Sequence, residues 1–170
     1  MTFWIIQALG IFALIFYSLC FQMKTKENLL LMQVTSNVFS TAQYVLAMAW
    51  TGAVQTLLGV LRGIVFYFYK KRDVNPDKIV LIVFACAIII GTVITWDGIL
   101  SGLPLAAMLA NLYGQWQNSM KRLRIFAIIS AVLWTIYAFY MGVYTGMLSE
   151  MIKIVSSAIG IYRFKGKKEQ

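Results

Sequence analysis

Apolar residues in this chain run on without alternation for about twenty positions at a time, and short polar breaks separate the runs. Strict alternation would indicate strands, whereas continuous runs of this length indicate helices able to cross a ~30 Å hydrocarbon layer. The pattern predicts seven helices, over residues 3–22, 29–50, 53–69, 79–96, 99–117, 123–142 and 143–164. Thr51-Gly52 and Asp97-Gly98 read as tight breaks, and Lys70-Lys71-Arg72-Asp73-Val74-Asn75-Pro76-Asp77-Lys78 is the clearest loop. The first run has no basic residues before it and no small-x-small cleavage pattern, so it reads as a retained helix rather than a removable signal.

Composition strengthens this reading. Hydrophobic residues make up 61% of the 170 positions and charged residues 12%, against ~45–50% and ~25% in soluble domains. A chain this apolar cannot cover its surface in water. In lipid the backbone must satisfy itself, which leaves helices or a closed barrel, and the unbroken runs select helices. The expected fold class is an all-α membrane protein with seven transmembrane helices.

The net charge of +9 would suggest nucleic acid on a soluble protein, but its placement says otherwise. Thirteen of the fifteen basic residues fall in alternate connections: Lys24 and Lys26; Lys70, Lys71, Arg72 and Lys78; Lys121, Arg122 and Arg124; and Arg163, Lys165, Lys167 and Lys168. The N-terminus and the other three connections contain none. Cytoplasmic loops retain Lys and Arg, so the split predicts a multi-pass protein of the bacterial plasma membrane with its N-terminus outside and C-terminus in the cytoplasm. The partners this implies are membrane lipid, touched by the basic tail, and a small polar or anionic substrate. Nucleic acid is not expected, and homo-oligomerisation stays open.

Sliding the chain by 94 residues against itself aligns helices 2 and 3 with helices 6 and 7. Ser36 meets Ser130, Thr41 meets Thr135, Thr51-Gly52 meets Thr145-Gly146, and Arg62-Gly63 meets Ser156-Ser157. Helix 1 then corresponds to helix 5. An odd helix between two three-helix units leaves the units parallel, related by an axis along the membrane normal. This divides the chain into a first unit (1–70), a loop and linker helix (71–97) and a second unit with a short basic tail (98–170). A cavity between the units is the natural ligand site.

Four segments carry a resemblance to a known family: ALGIFALIFYSLCFQMKTKENLL near the start, LLGVLRGIVFYFYKKR in helix 3, LPLAAMLANLYGQW in helix 5 and YTGMLSEMIKIVSSAIGIYRF in helix 7. Together they resemble the YgjV-type bacterial inner-membrane proteins over nearly the whole chain. The resemblance implies location and architecture. The layout is distantly similar to the SWEET and PQ-loop 3+1+3 transporters, although Gln22 follows Phe21 and Gln115 follows Gly114, so neither half has their Pro-Gln pair.

The chemistry-bearing residues are few. There is no histidine, and Cys20 and Cys86 both lie inside apolar runs. No acid–base pair, activated nucleophile or metal cluster emerges, so the chain reads as a non-enzyme without cofactor or metal. Arg62 and Lys153 lie near the middles of helices 3 and 7, too far from the helix ends to snorkel readily. Glu150 precedes Lys153 by three residues and shares its helix face. One reading makes Arg62, Glu150 and Lys153 a substrate site with Asn37, Asn111 and Trp134; the other makes the trio a structural network. Ser40, Thr41, Gln43 and Tyr113 are read mainly as interhelical hydrogen bonders. Gly59/Gly63 and Gly98/Gly102 are small-xxx-small pairs expected to permit close helix contact. Trp4, Trp50, Trp96 and Trp116 read as interfacial anchors. The function this supports is a small-molecule transporter alternating access between two repeats. A non-transporting membrane adaptor or scaffold is the alternative, and a lipid-binding or lipid-flipping role is a weaker third.

Overall fold

The computed structural model describes residues 2–20, 26–72, 74, 76–117 and 120–163. They form seven α-helices: α1 (Thr2–Cys20), α2 (Lys26–Leu46), α3 (Trp50–Lys71), α4 (Lys78–Ile94), α5 (Gly102–Trp116), α6 (Met120–Tyr140) and α7 (Tyr144–Arg163). A 3₁₀ turn, Ile99–Ser101, leads into α5. No strand occurs among the described residues. Gln22, Lys24 and the basic tail beyond Arg163 lie outside them.

The α2–α3 break is not at Thr51-Gly52, which lie in the first turn of α3. It comes earlier, because Met48 adopts a left-handed backbone conformation (φ 56°). The Met48 amide donates to Val45 O and the Ala49 amide to Tyr44 O, so the final carbonyls of α2 are satisfied as in a Schellman cap. The α6–α7 break repeats this 94 residues later. Gly142 has φ 69°, its amide donates to Phe139 O, and that of Val143 donates to Ala138 O. Gly142 and Val143 therefore form the turn rather than ending and starting helices. Gly98 (φ 91°) makes the third such corner, between α4 and α5.

The six helices other than α4 form a closed circuit. The most extensive packing joins α1 to α2, α2 to α3, α5 to α6 and α6 to α7. The circuit closes where α1 meets α7 and α3 meets α5, and α4 lies outside it against α3 and α5. Exchanging α1 with α5, α2 with α6 and α3 with α7 turns the contacts of the circuit into themselves, and only those of α4 break the match.

Polar side chains share the interior with an apolar core, and large apolar side chains cover much of the surface. Buried side chains include Gln33, Gln43, Gln55, Arg62, Thr92 and Lys153, while Ile79, Ile82, Val83, Ile90, Val93 and Ile94 on α4 are exposed. Apolar surface this extensive needs an apolar surrounding. By length and composition α3 and α6 are long and apolar enough to cross a membrane, and α1 and α4 contain shorter apolar stretches.

Gly63 lets α3 approach α2, since a methyl group there would run into Val34, and Gly59 faces the Asn37 amide. The Gly98/Gly102 pair does no such thing. Neither has a neighbour within contact range of an added Cβ; Gly98 serves the corner, and Gly102 opens α5 on an uncrowded side. Trp4, Trp50 and Trp96 are exposed. Trp116 is half-buried, and its indole N–H donates to Pro76 O at 3.1 Å.

Candidate functional site

Residues at i, i+4, i+7 and i+11 share one face of a helix. On α2 this spacing selects Gln33, Asn37, Ser40 and Tyr44. All four residues line a narrow cavity at the centre of the helix circuit. The same periodicity brings Thr56, Gly59 and Arg62 of α3 to it, and Gly146, Glu150 and Lys153 of α7. Tyr17 of α1, Met108 and Asn111 of α5, Trp134 of α6 and the two serines Ser36 and Ser149 complete the wall. Every helix except α4 contributes. The six residues singled out in the sequence, Arg62, Glu150, Lys153, Asn37, Asn111 and Trp134, all line this one cavity.

Lys153 Nζ donates to Glu150 Oε2 at 2.6 Å. The ammonium also lies 5.1 Å from the centre of the Tyr17 ring, close enough for a cation–π contribution. The Glu150 carboxylate is thus engaged with one cation. Arg62 is only 1% exposed. Among the described residues it makes one long hydrogen bond, from Nη1 to Met108 O at 3.5 Å, and Nε has no partner. A guanidinium has five N–H donors, and a buried charge costs several kcal/mol unless paired. Arg62 therefore stands undersatisfied in the wall of a cavity whose formal charge, with Lys153 positive and Glu150 negative, is +1.

The cavity volume is about 50 Å³. A water needs ~10–15 Å³ of such space, so a few waters or one small ion fit and a metabolite of sugar size does not. Among the described residues no group of three or more His, Cys, Asp or Glu could hold a metal ion.

One end of the bundle carries the start of α1 and the three corners α2–α3, α4–α5 and α6–α7; it has no described Lys or Arg. Towards this end, which carries Asp97 but no described basic residue, the cavity is capped by aromatic rings. Tyr44, Trp134 and Tyr137 pack with centroids 5.5–6.0 Å apart, and the Gly52 amide donates to the Tyr137 hydroxyl at 3.1 Å. The two seams of the circuit are bonded there. Between α7 and α1, the Thr145 hydroxyl donates to Gln7 Oε1 at 3.0 Å, and Gln43 Nε2 donates to Thr145 Oγ1 at 2.6 Å. Between α3 and the α4–α5 corner, Thr51 Oγ1 donates to Thr95 O and lies 3.2 Å from Ser101 Oγ. Towards the opposite, basic end, Gln115 Nε2 donates to Gln33 Oε1 at 2.9 Å, joining α5 to α2.

Sequence reading missed Tyr17, Gln33, Tyr44 and Met108 as wall residues. The polar stripe on α2 was a usable signal for Gln33 and Tyr44; nothing in the local pattern marks Tyr17 or Met108. Of the other polar residues considered, Thr41 bonds Thr56 at 3.0 Å and Gln43 bonds Thr145, whereas Tyr113 is exposed.

No curated protein matches the chain, and no solved structure does; the likeness of layout to SWEET and PQ-loop transporters therefore rests on the helix pattern alone. A model of the Imp-YgjV family, described as bacterial inner membrane protein, matches residues 4–168, and with almost its whole length covered the chain belongs to that family of inner-membrane proteins.

Proposed function

We propose that this protein is a transporter of a small polar solute, moving it by alternating access between two three-helix repeats. The observation that carries the reading is the charged cavity on the bundle axis, built by α1–α3 on one side and α5–α7 on the other. A cation at the centre of a bilayer costs at least ~2.5–3.5 kcal/mol on insertion scales. Arg62 is 12 residues from the start of α3 and nine from its end, about 18 and 14 Å along the axis. Retaining it there with no ion-pair partner among the described residues is costly for a purely structural helix and useful for a ligand site.

In this reading all seven helices span the membrane, with 1–70 and 98–170 as parallel repeats and 71–97 as the linker. The self-matching pattern of helix contacts and the two equivalent corners at Met48 and Gly142 support the repeat. The placement of Lys70, Lys71, Arg72, Lys78, Lys121, Arg122 and Arg124 at one end supports a cytoplasmic basic side and an external N-terminus. The bonded seams and aromatic cap then lie on the external side, and the conformation is closed outward.

A membrane adaptor or scaffold is the second reading, favoured by the small cavity and by the tight Lys153–Glu150 pair. Reconstitution separates the two. A screen of labelled small solutes for uptake into proteoliposomes should find flux that Arg62→Gln abolishes. Absence of flux, with Arg62→Gln and Glu150→Gln acting only on abundance and with one stoichiometric partner copurifying, would establish the scaffold.

A further inference from the structure

The geometry points to a small monovalent anion, a planar carboxylate or oxyanion of the size of formate or nitrate, as the ligand of the central cavity, with Arg62 as its counter-ion. This rests on the cavity being a ligand site, as the transporter reading holds, and adds what kind of ligand it takes.

Three observations converge. The first is charge. Glu150, the one acidic side chain among the described residues of the wall, is paired with Lys153 at 2.6 Å, which leaves the Arg62 charge uncompensated among them. A neutral solute would not balance it, and a cation would worsen the imbalance. The formal charge of +1 matches one negative charge.

The second is the type of hydrogen-bonding group. Arg62 is buried with Nε unpartnered, and its planar fork pairs with two oxygens of a carboxylate-like group. Asn37, Ser40 and Asn111 also face the cavity, and their side chains donate no hydrogen bond to another described residue. Two amide N–H₂ groups and a hydroxyl are thus free to donate alongside the guanidinium. Gly59 contributes by what it lacks: a Cβ there would press on the Asn37 amide at 3.0 Å and narrow the space in front of Arg62, one turn further along α3.

The third is size. About 50 Å³ admits an ion of a few heavy atoms. It excludes a hexose, a nucleotide or an amino acid in this conformation.

The test is binding to the purified full-length protein in detergent, followed by thermal unfolding and by competition for a labelled formate probe. Sodium formate and sodium nitrate should raise Tm saturably at concentrations where sodium gluconate, too large, and sodium sulfate, divalent, do not. Arg62→Gln should weaken formate binding by roughly tenfold or more. If that variant fails to fold, Asn111→Leu and Glu150→Gln keep the question open to refutation. Asn111→Leu should weaken formate, while Glu150→Gln, by raising the cavity charge, should tighten formate and admit sulfate. The inference is overturned if anions do not discriminate by size and valence, or if these substitutions leave formate affinity unchanged. Saturable formate binding without flux would remove the transporter reading and leave the anion site standing. Flux of a neutral solute with no anion binding would do the reverse.

Discussion

Thr51 and Thr145, 94 residues apart, make the same kind of contact at two different seams of the helix circuit. Thr145 bonds Gln7, and Thr51 lies within hydrogen-bonding distance of Ser101. Gln7 and Ser101 are themselves 94 residues apart. The residue types differ, and so does the direction of the bond, since Thr51 gives its one proton to Thr95 O and accepts from Ser101, yet each partner meets the hydroxyl of a threonine in the first turn of a helix. What the halves share at this point is the chemistry of a latch. Interhelical hydrogen bonds of this sort contribute about 0.6 kcal/mol each on average in a membrane protein, enough to bias a two-state equilibrium without locking it.

Thr51→Val and Thr145→Val together remove four such hydrogen bonds and should therefore loosen the end opposite the basic loops at a cost of about 2 kcal/mol. In a background with Cys20 and Cys86 replaced by alanine, Ser40→Cys in the cavity wall reports on access. An impermeant thiol reagent added outside intact cells should label it several-fold faster in the double valine variant. Equal labelling would mean that the seams do not gate the cavity.

Met48 and Gly142 occupy equivalent corners with positive φ, but only one of them is glycine. A side-chain-bearing residue in the left-handed region costs roughly 1–2 kcal/mol. Met48 is largely exposed, so removing its side chain sacrifices little packing. Met48→Gly should raise stability by about 1 kcal/mol, and Gly142→Val should lower it by at least as much, read as opposite shifts of Tm in detergent. A fall in Tm for Met48→Gly would mean that the Met48 side chain contributes more than the strained backbone costs.

Much of this arrangement was legible in the amino-acid pattern, for identifiable reasons. The seven helices announce themselves as long apolar runs between short polar breaks, and Arg62, Glu150 and Lys153 are conspicuous because charge inside such a run is expensive. Their common cavity follows from helical spacing, 56/59/62 on α3 and 146/150/153 on α7, whereas Ser156, which the offset of 94 pairs with Arg62, does not line it. The corners were misplaced because Thr51-Gly52 looks like a break, while the residue that turns the chain, Met48, carries no turn signature. The Gly98/Gly102 pair misled because a spacing of four records a helix face without saying whether anything packs on it. Gln7 and Gln115 gained their roles only from the circuit, which brings α1 to α7 and α5 across to α2; no local rule anticipates either contact.

Gln33 and Gln115 make the corresponding join on the basic side, with one hydrogen bond of 2.9 Å. Gln33→Leu removes the acceptor and leaves an apolar side chain of similar size in the wall. Access to Ser40→Cys from the cytoplasmic face, measured on inside-out vesicles, should increase, with access from outside unchanged. A change confined to the outside would contradict the proposed orientation.

Glu150 and Lys153 allow the structural and functional roles of the charged group to be separated. Glu150→Gln leaves a buried ammonium with an amide in place of its 2.6 Å carboxylate partner. Breaking a buried pair from one side costs about 3 kcal/mol or more. Lys153→Gln strands the carboxylate and should also destabilise. In Glu150→Gln/Lys153→Gln both charges go, and two amides one helical turn apart can hydrogen-bond, so most of the stability should return. The cycle should give a coupling of about 2 kcal/mol, measured by unfolding in detergent. Because the pair is neutral as a unit, removing it leaves the cavity at +1 with Arg62 still exposed to a ligand. Formate binding should therefore survive in the double variant even though the shape of the wall has changed. A double variant that regains stability but loses all anion binding would instead place the negative charge of the ligand against Lys153 and make Arg62 the structural partner.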